Sequence, residues 1–237
     1  MRVYDCNWMQ LERYLERDDR IVLPLGSTEQ HAYLSLGTDS ILAERVSVEA
    51  AEPLGVPVLP ALPFGLTPYF AAFPGSPTLT EPTFLAVIGE LLHSLHEQGF
   101  RRFLLVDGHG GNTPAGENAA WWESELEDTE VRYHAWWNGA KVVATARSID
   151  PDFNHASWYE NFPWTRLAGI ELPREQKPQV DEAALEAAER SSPAEVRRLI
   201  GDGSFGGLYE RPDEDVLRVW EAGVEEVREA LERGWRA

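Results

Sequence analysis

Six side chains able to bind a cation or move a proton fall into three short stretches of this 237-residue chain. GSTEQHAYLSLGTD, residues 26–39, carries Glu29, His31 and Asp39 directly after an apolar run. VDGHGGN, residues 106–112, surrounds His109 with glycine, and NHASWYENF, residues 154–162, holds His155 and Glu160. Imidazole and carboxylate without thiolate suit borderline divalent cations such as Zn²⁺ or Mn²⁺. Two such ions about 3.5–4 Å apart can polarise a carbonyl and lower the pKa of a bridging water, which is hydrolase chemistry.

Plainer accounts compete for the same residues. Ser27 and Gln30 match a capping box, and Asp39 could cap a helix starting at Ser40. That leaves Glu29 and His31 unexplained, and alternate residues share one face of an extended segment. The glycines around His109 permit a tight, positive-φ backbone. The 108–113 turn and the helix after it could instead hold a phosphate or nucleotide on backbone amides. Its spacing matches neither glycine-rich nucleotide fingerprint, and it lacks the P-loop lysine.

The elements that must position these groups follow from hydrophobic pattern. Apolar runs at 20–25, 56–62, 102–106 and 131–137 read as buried strands, and helical periodicity occupies 40–52, 82–98 and 114–127. Strands alternating with helices predict a mostly parallel central sheet covered on both faces, a three-layer α/β/α domain spanning 1–237. Thr113 before Pro114 is a helix start, and Gly99 a helix end. Past Gly139 the alternation fades into aromatic- and proline-rich sequence before helices resume at 181–200 and 214–233. In such sheets ligands sit beyond the carboxyl ends of strands, where both GSTEQH and DGHGGN fall.

Composition narrows the partners. A net charge of −19 repels nucleic acid, whose binding needs clustered Lys and Arg. No stretch approaches the roughly 18 apolar residues of a membrane span, and no signal peptide opens the chain, so a cytoplasmic protein is expected. The single cysteine, Cys6, can form neither an internal disulfide nor a thiolate metal site.

With these blocks the sequence resembles the creatininase family across nearly its whole length. The markers are LPLGSTEQH with LGTD, FPGSPTLT, GFRRFLLVDGHGGN, and a degenerate His-Ala-Gly…Glu-Thr-Ser block from His155 to Glu160. The resemblance implies a dinuclear Zn or Mn centre that hydrolyses a non-peptide C–N bond of a small molecule (cyclic amide, lactam or formamide) through a metal-activated water. It also implies a homo-oligomer, commonly a hexamer. Carried over by motif, Glu29 and His109 hold one metal, His31 the other, and Asp39 bridges both.

Several positions depart from the family. Creatininase completes the second metal's shell with a glutamate two residues after the glycine-flanked histidine, and here that position is Gly111. Glu160 is expected to replace it, as ligand or as the carboxylate that binds the activated water. His155 matches an active-site histidine that could protonate the leaving nitrogen. Ala32 stands where the family has glycine, a second histidine is missing, and the interval from Glu29 to Asp39 is one residue short. Ser76, Trp137 and Trp158 are candidate substrate contacts, each with a competing structural account as turn or core residue; Trp136, His93, His96 and His134 read as structural. A member that has lost catalysis, or a phosphate-binding module, are the alternatives.

Overall fold

The computed structural model describes residues 1–236. Three strands, β1 (Arg20–Leu25), β2 (Arg102–Asp107) and β3 (Glu130–Ala135), form a parallel sheet in the order β1-β2-β3. Among the described residues the helices are α1 (Trp8–Leu15), α2 (Thr38–Ala51), α3 (Glu81–Glu97), α4 (Pro114–Glu117), α5 (Ala119–Glu125), α6 (Ala140–Ile149), α7 (Glu182–Ser191), α8 (Pro193–Ile200) and α9 (Asp213–Glu232).

Every residue of β1 and β2 after the first is buried, as strands covered on both faces must be. Alternate side chains then feed two separate cores. Val22, Leu104 and Val106 pack with α2, α6 and α9 through Val46, Val142 and Trp220. Ile21, Leu23, Phe103 and Leu105 pack with α1, α3 and α5 through Tyr14, Ile88 and Trp122. These are the two outer layers of the predicted α/β/α sandwich.

The expected strand at 56–62 forms only isolated parallel bridges to β1, at Val58 and Leu62. It lies alongside β1, with Val22 N donating to Pro57 O and Leu59 N to Val22 O. Pro57 and Pro60 remove ladder donors, which breaks the regular pattern that the apolar run suggests. The boundary of the fourth expected strand, 131–137, also shifts: the chain leaves β3 at Ala135 and turns through Trp136–Asn138 as a 3₁₀ helix. Two helices have no counterpart in the periodicity reading. α1 is short, but a reciprocal capping box between Asn7 and Gln10 starts it; α6 follows the turn at Gly139. The 114–127 and 181–200 segments each divide into two helices, the second at Ser192, which caps α8 through Glu195 N.

Capping expectations around the site are corrected. Residues 26–30 are not helical, so Ser27 and Gln30 form no capping box. α2 begins at Thr38 rather than Ser40, and Asp39 lies inside its first turn. Thr113 has helical angles and its hydroxyl donates to Gly110 O rather than capping α4.

Asn112 ties the loops together. Its Nδ2 donates to Gly26 O (3.1 Å) and Asp107 Oδ1 (3.0 Å), and its Oδ1 accepts from Leu66 N (3.1 Å). The loops after β1 and β2 and the 65–66 segment are thereby held in fixed relation. Asn112→Ala should leave these buried groups unpaired at about 1–3 kcal/mol each. A urea titration is expected to show a clear loss of stability with an unchanged m-value.

Candidate metal centre

The six chemically capable residues converge at the carboxyl end of the sheet. Glu29 and His31 come from the loop after β1, Asp39 from the first turn of α2, and His109 from the loop after β2. His155 and Glu160 come from the irregular segment after α6. Glu29, His31, Asp39 and His109 are each no more than 3% exposed. Ligand atoms of Glu29, Asp39 and His109 lie within 4.8 Å of one another, as do those of His31, Asp39 and Glu160, so Asp39 is common to two triads. A third grouping, Glu29, His31 and His155, meets the same limit.

Asp39 divides its oxygens. Oδ1 is 3.0 Å from His31 Nε2, and Oδ2 is 3.3 Å from His109 Nδ1. His109 Nδ1 is also 3.3 Å from Glu29 Oε1, and His31 Nε2 is 3.8 Å from Glu160 Oε2. The outward nitrogens are occupied by carbonyls: His109 Nε2 donates to Leu66 O (2.9 Å), while His31 Nδ1 faces Glu29 O (3.3 Å). With a cation bound the two rings would take opposite tautomers, each turning a lone pair inward, the usual outer support of a ligating histidine.

Glycines bring the loops this close. A Cβ on Gly108 would lie 2.4 Å from Asp39 O, and one on Gly111 would lie 2.0 Å from Leu66 O and 2.5 Å from His109 Nε2. Neither has positive φ, so close approach rather than a left-handed turn is what requires them. Positive φ occurs instead at Ala32 (49°) and Ala156 (55°), beside His31 and His155. An alanine in this region is strained by about 1–2 kcal/mol. In return Ala156 N donates to Glu160 Oε2 (2.6 Å) and Ala32 N to Gln30 Oε1 (3.1 Å).

Electrostatics follow from burying these charges together. Burial disfavours a charged His31, but Asp39, Glu160 and Glu29 outweigh it and lift the imidazole to about 10. His109 is likewise raised, against burial, by Glu29 and Asp39. Burial would raise Asp39, yet the two imidazoles hold it well below the carboxylate range. Glu160 is pushed up to about 7, chiefly by burial. His155 is driven down by burial and by His31, which leaves it neutral.

A cavity of about 390 Å³ opens onto the cluster, lined by Glu29, Asp39, His109, His155 and Glu160. Tyr69, Phe70, Trp137, Phe153 and Phe205 form its apolar walls. Of the three candidate substrate contacts, Trp137 lines the cavity. Two other candidate contacts do not. Trp158 is fully buried and packs on Phe153, because the 3₁₀ turn at Trp158–Glu160 sends the indole into the core while Glu160 faces the cavity. Ser76 is buried outside the cavity, and its hydroxyl accepts from Gln30 N (2.9 Å). Tyr69 was not legible as a site residue: its hydroxyl is 3.5 Å from His109 Nε2, and no spacing signal marks it. Glu189 on α7 also reaches the rim, and no sequence signal brought it forward as a site residue.

The glycine contacts give a paired test. Gly111→Ala should cost roughly 1–3 kcal/mol through overpacking and displace His109. Gly110→Ala, whose Cβ would meet Trp137 at an ordinary 3.6 Å, should be tolerated. Thermal melts of the two variants, with zinc uptake measured alongside, check this; equal behaviour of the pair would sink the close-approach account.

Comparison with known proteins supplies the lineage. A family model described as Creatininase: Creatinine amidohydrolase matches residues 4–231. The creatinine amidohydrolase of Pseudomonas putida is 26% identical over 163 residues, covering 63% of this chain and 63% of that protein. The 3-dehydro-scyllo-inosose hydrolase of Thermotoga maritima is 29% identical over 103 residues, covering 43% of this chain and 33% of that protein. The alignment with each of these relatives spans less than two thirds of its length. A crystal structure of creatinine amidohydrolase superposes with a TM-score of 0.73 at 20% identity, over 97% of this chain and 96% of the other. A manganese form of creatininase does so at 0.75 and 21%, over the same shares. The family match takes in the strands, the loops beyond them and every residue of the two triads, and the chain belongs to the creatininase family.

Proposed function

We propose that this protein is a divalent-metal-dependent amidohydrolase that cleaves a non-peptide C–N bond of a small cyclic amide, lactam or formamide. The observation that carries this reading is the division of Asp39 between two inward-facing imidazole nitrogens, Nε2 of His31 and Nδ1 of His109. In it Glu29, Asp39 and His109 hold one ion, and His31, Asp39 and Glu160 the other. The residues fit such a pair: Glu29 Oε2, His31 Nε2 and Asp39 Oδ2 are buried without hydrogen-bond partners, which protein interiors rarely tolerate. Two Zn or Mn ions would supply a polarised carbonyl and a water acidic enough to attack near neutral pH. A zinc–zinc form of a mutant creatininase shares this fold, superposing with a TM-score of 0.72.

The chain's own groups supply the rest. Glu160 faces the cavity beside the second triad, where a carboxylate is suited to receive a proton and return one to a departing nitrogen. His155 lines the same cavity, and the aromatic walls exclude water and seat a planar ligand. Gly111 stands where creatininase has a glutamate, and with no room there for a side chain Glu160 is the carboxylate placed to replace it. The Pseudomonas putida relative is named for creatinine, and the departures at Ala32 and Gly111 support a different small amide here.

The phosphate-binding alternative finds little support. Among the described residues no lysine or arginine lines the cavity, while four carboxylates do, and α4 is only four residues long. The intact triads weigh against a member without catalysis. We also propose a cytoplasmic homo-oligomer. The lone cysteine supports a reducing compartment, and exposed apolar side chains such as Trp8 and Trp121 support self-association. Among the described residues no helix is long and apolar enough to cross a membrane.

Elemental analysis should find close to two equivalents of Zn or Mn, reduced in His31→Ala and Asp39→Ala, and a screen of lactams, cyclic ureas, formamides and short peptides should reveal turnover. Full metal occupancy in both variants would refute the assignment. Proton linkage gives a second check. His31 rises from 6.5 to about 10 and Glu160 from 4.5 to about 7 on folding without metal. Their contributions are complete below the unfolded values and disappear as pH climbs through the folded ones. The depressed Asp39 and His155 act oppositely, Asp39 in the acid range and His155 below its unfolded value of 6.5. The melting temperature of chelator-treated protein should therefore fall from about pH 7 to about pH 9. Added zinc should restore it at the alkaline end, because the ions take the place of the lost protons.

A further inference from the structure

Gln30 lies between two proposed ligands, and its side chain is spent on the protein rather than on a cation. The residue is 5% exposed. Its Oε1 accepts from Ala32 N (3.1 Å) and its Nε2 donates to Gly203 O (3.1 Å). The amide is thus oriented from both ends. Turned over, it would set its nitrogen against the Ala32 N–H and its oxygen against the Gly203 carbonyl, exchanging two hydrogen bonds for two repulsions. Gly203 has φ +108°, and a Cβ there would fall 1.7 Å from Gln30 Oε1, so the loop can close on this amide only as glycine.

The same Nε2 is 2.9 Å from His155 Nε2. An amide nitrogen only donates, so the imidazole nitrogen facing it must accept, and a neutral ring then carries its proton on Nδ1. The competing contact, His155 Nε2 to Gln30 O, is longer at 3.2 Å and would turn two N–H groups against each other. Phe205 N donates to His155 O (3.0 Å), and the ring is held between Phe70 and Phe205 at centroid distances of 5.1 and 4.9 Å. Among the described residues Nδ1 has no hydrogen-bond partner, while the ring lines the cavity.

We propose that Gln30 is a positioning residue that fixes His155 as the Nδ1–H tautomer, so that His155 offers a substrate acceptor atom a neutral hydrogen-bond donor. This narrows the substrate class to amides that place an acceptor, not an N–H, against His155. The ring keeps its proton, because Nε2 is already occupied by the Gln30 amide; proton transfer belongs to another group. Nδ1 is also unavailable to a cation, which removes the Glu29, His31 and His155 grouping as a ligand set. The catalytic meaning rests on the amidohydrolase reading, whereas the tautomer does not.

The test is long-range ¹H–¹⁵N NMR of zinc-loaded protein labelled at histidine, with the His155 signals assigned by their loss in His155→Phe. Expected are a protonated-type Nδ1 and an unprotonated-type Nε2. In Gln30→Glu the carboxylate can only accept, so the pattern should reverse, with kcat falling roughly 10–100-fold and KM changing less. A protonated Nε2 or a zinc-bound Nδ1 in the unsubstituted protein overturns the proposal. So does an unchanged pattern, or unchanged kcat, in folded Gln30→Glu. The spectrum of the unsubstituted protein decides the tautomer even if that variant does not fold. If no amide is hydrolysed, the amidohydrolase reading fails while the ring signals still decide the tautomer.

Discussion

The placement of Asp39 between His31 and His109 is the constraint on which the rest of the structure depends. Burying a carboxylate is costly unless opposite charge and hydrogen bonds compensate it. Here Glu29, Asp39 and Glu160 share one small buried space with two imidazoles, so no single pair can be removed without stranding the others. The N-terminal turn of α2 contributes its dipole to Asp39, and the strained Ala156 contributes an N–H to Glu160. Protons or cations on the remaining atoms complete the balance, which is why folding, pH and metal affinity are coupled in this protein.

Holding that arrangement requires loops from distant parts of the chain to approach backbone to backbone. Gly108 sits under Asp39 and Gly111 under Leu66, while Asn112 joins three segments through one buried amide. The floor of the site is thus rigid and belongs to the sheet. The roof is built differently. α7 and α8 carry their own small core, in which Ala188, Val196 and Ile200 pack on Phe70, and the following loop reaches Gln30 through Gly203. This second layer of packing and Gln30 of the ligand loop together set the orientation of His155.

The departures from the family pattern make physical sense together. Without a side chain at 111, the second triad is completed from the other wall by Glu160, delivered by a 3₁₀ turn that also buries Trp158. The short loop after His31 still closes, through Leu34 N to His31 O and Glu29 N to Leu36 O, at the expense of a left-handed Ala32. Strain is stored beside the reactive residues and offset by hydrogen bonds to Gln30 and Glu160.

Much was legible in the residues alone. Alternating apolar runs placed β1 and β2 within a residue of their observed bounds and predicted the layered sheet, since burial on both faces leaves an almost uninterrupted apolar signature. Residue type and position after strands also brought Glu29, His31, Asp39, His109 and Glu160 forward as one group. Their division into two sets was drawn from family likeness, and coordinates were needed to show how the atoms face one another. What local pattern could not reveal was set by contacts between segments far apart in the chain. Trp158 turned inward and Ser76 served Gln30 because packing chose their directions. Gln30, read as a helix cap, became the partner of His155 across 125 residues. Hydrogen-bond orientation depends on which donor arrives from elsewhere, and composition and spacing carry no record of that arrival.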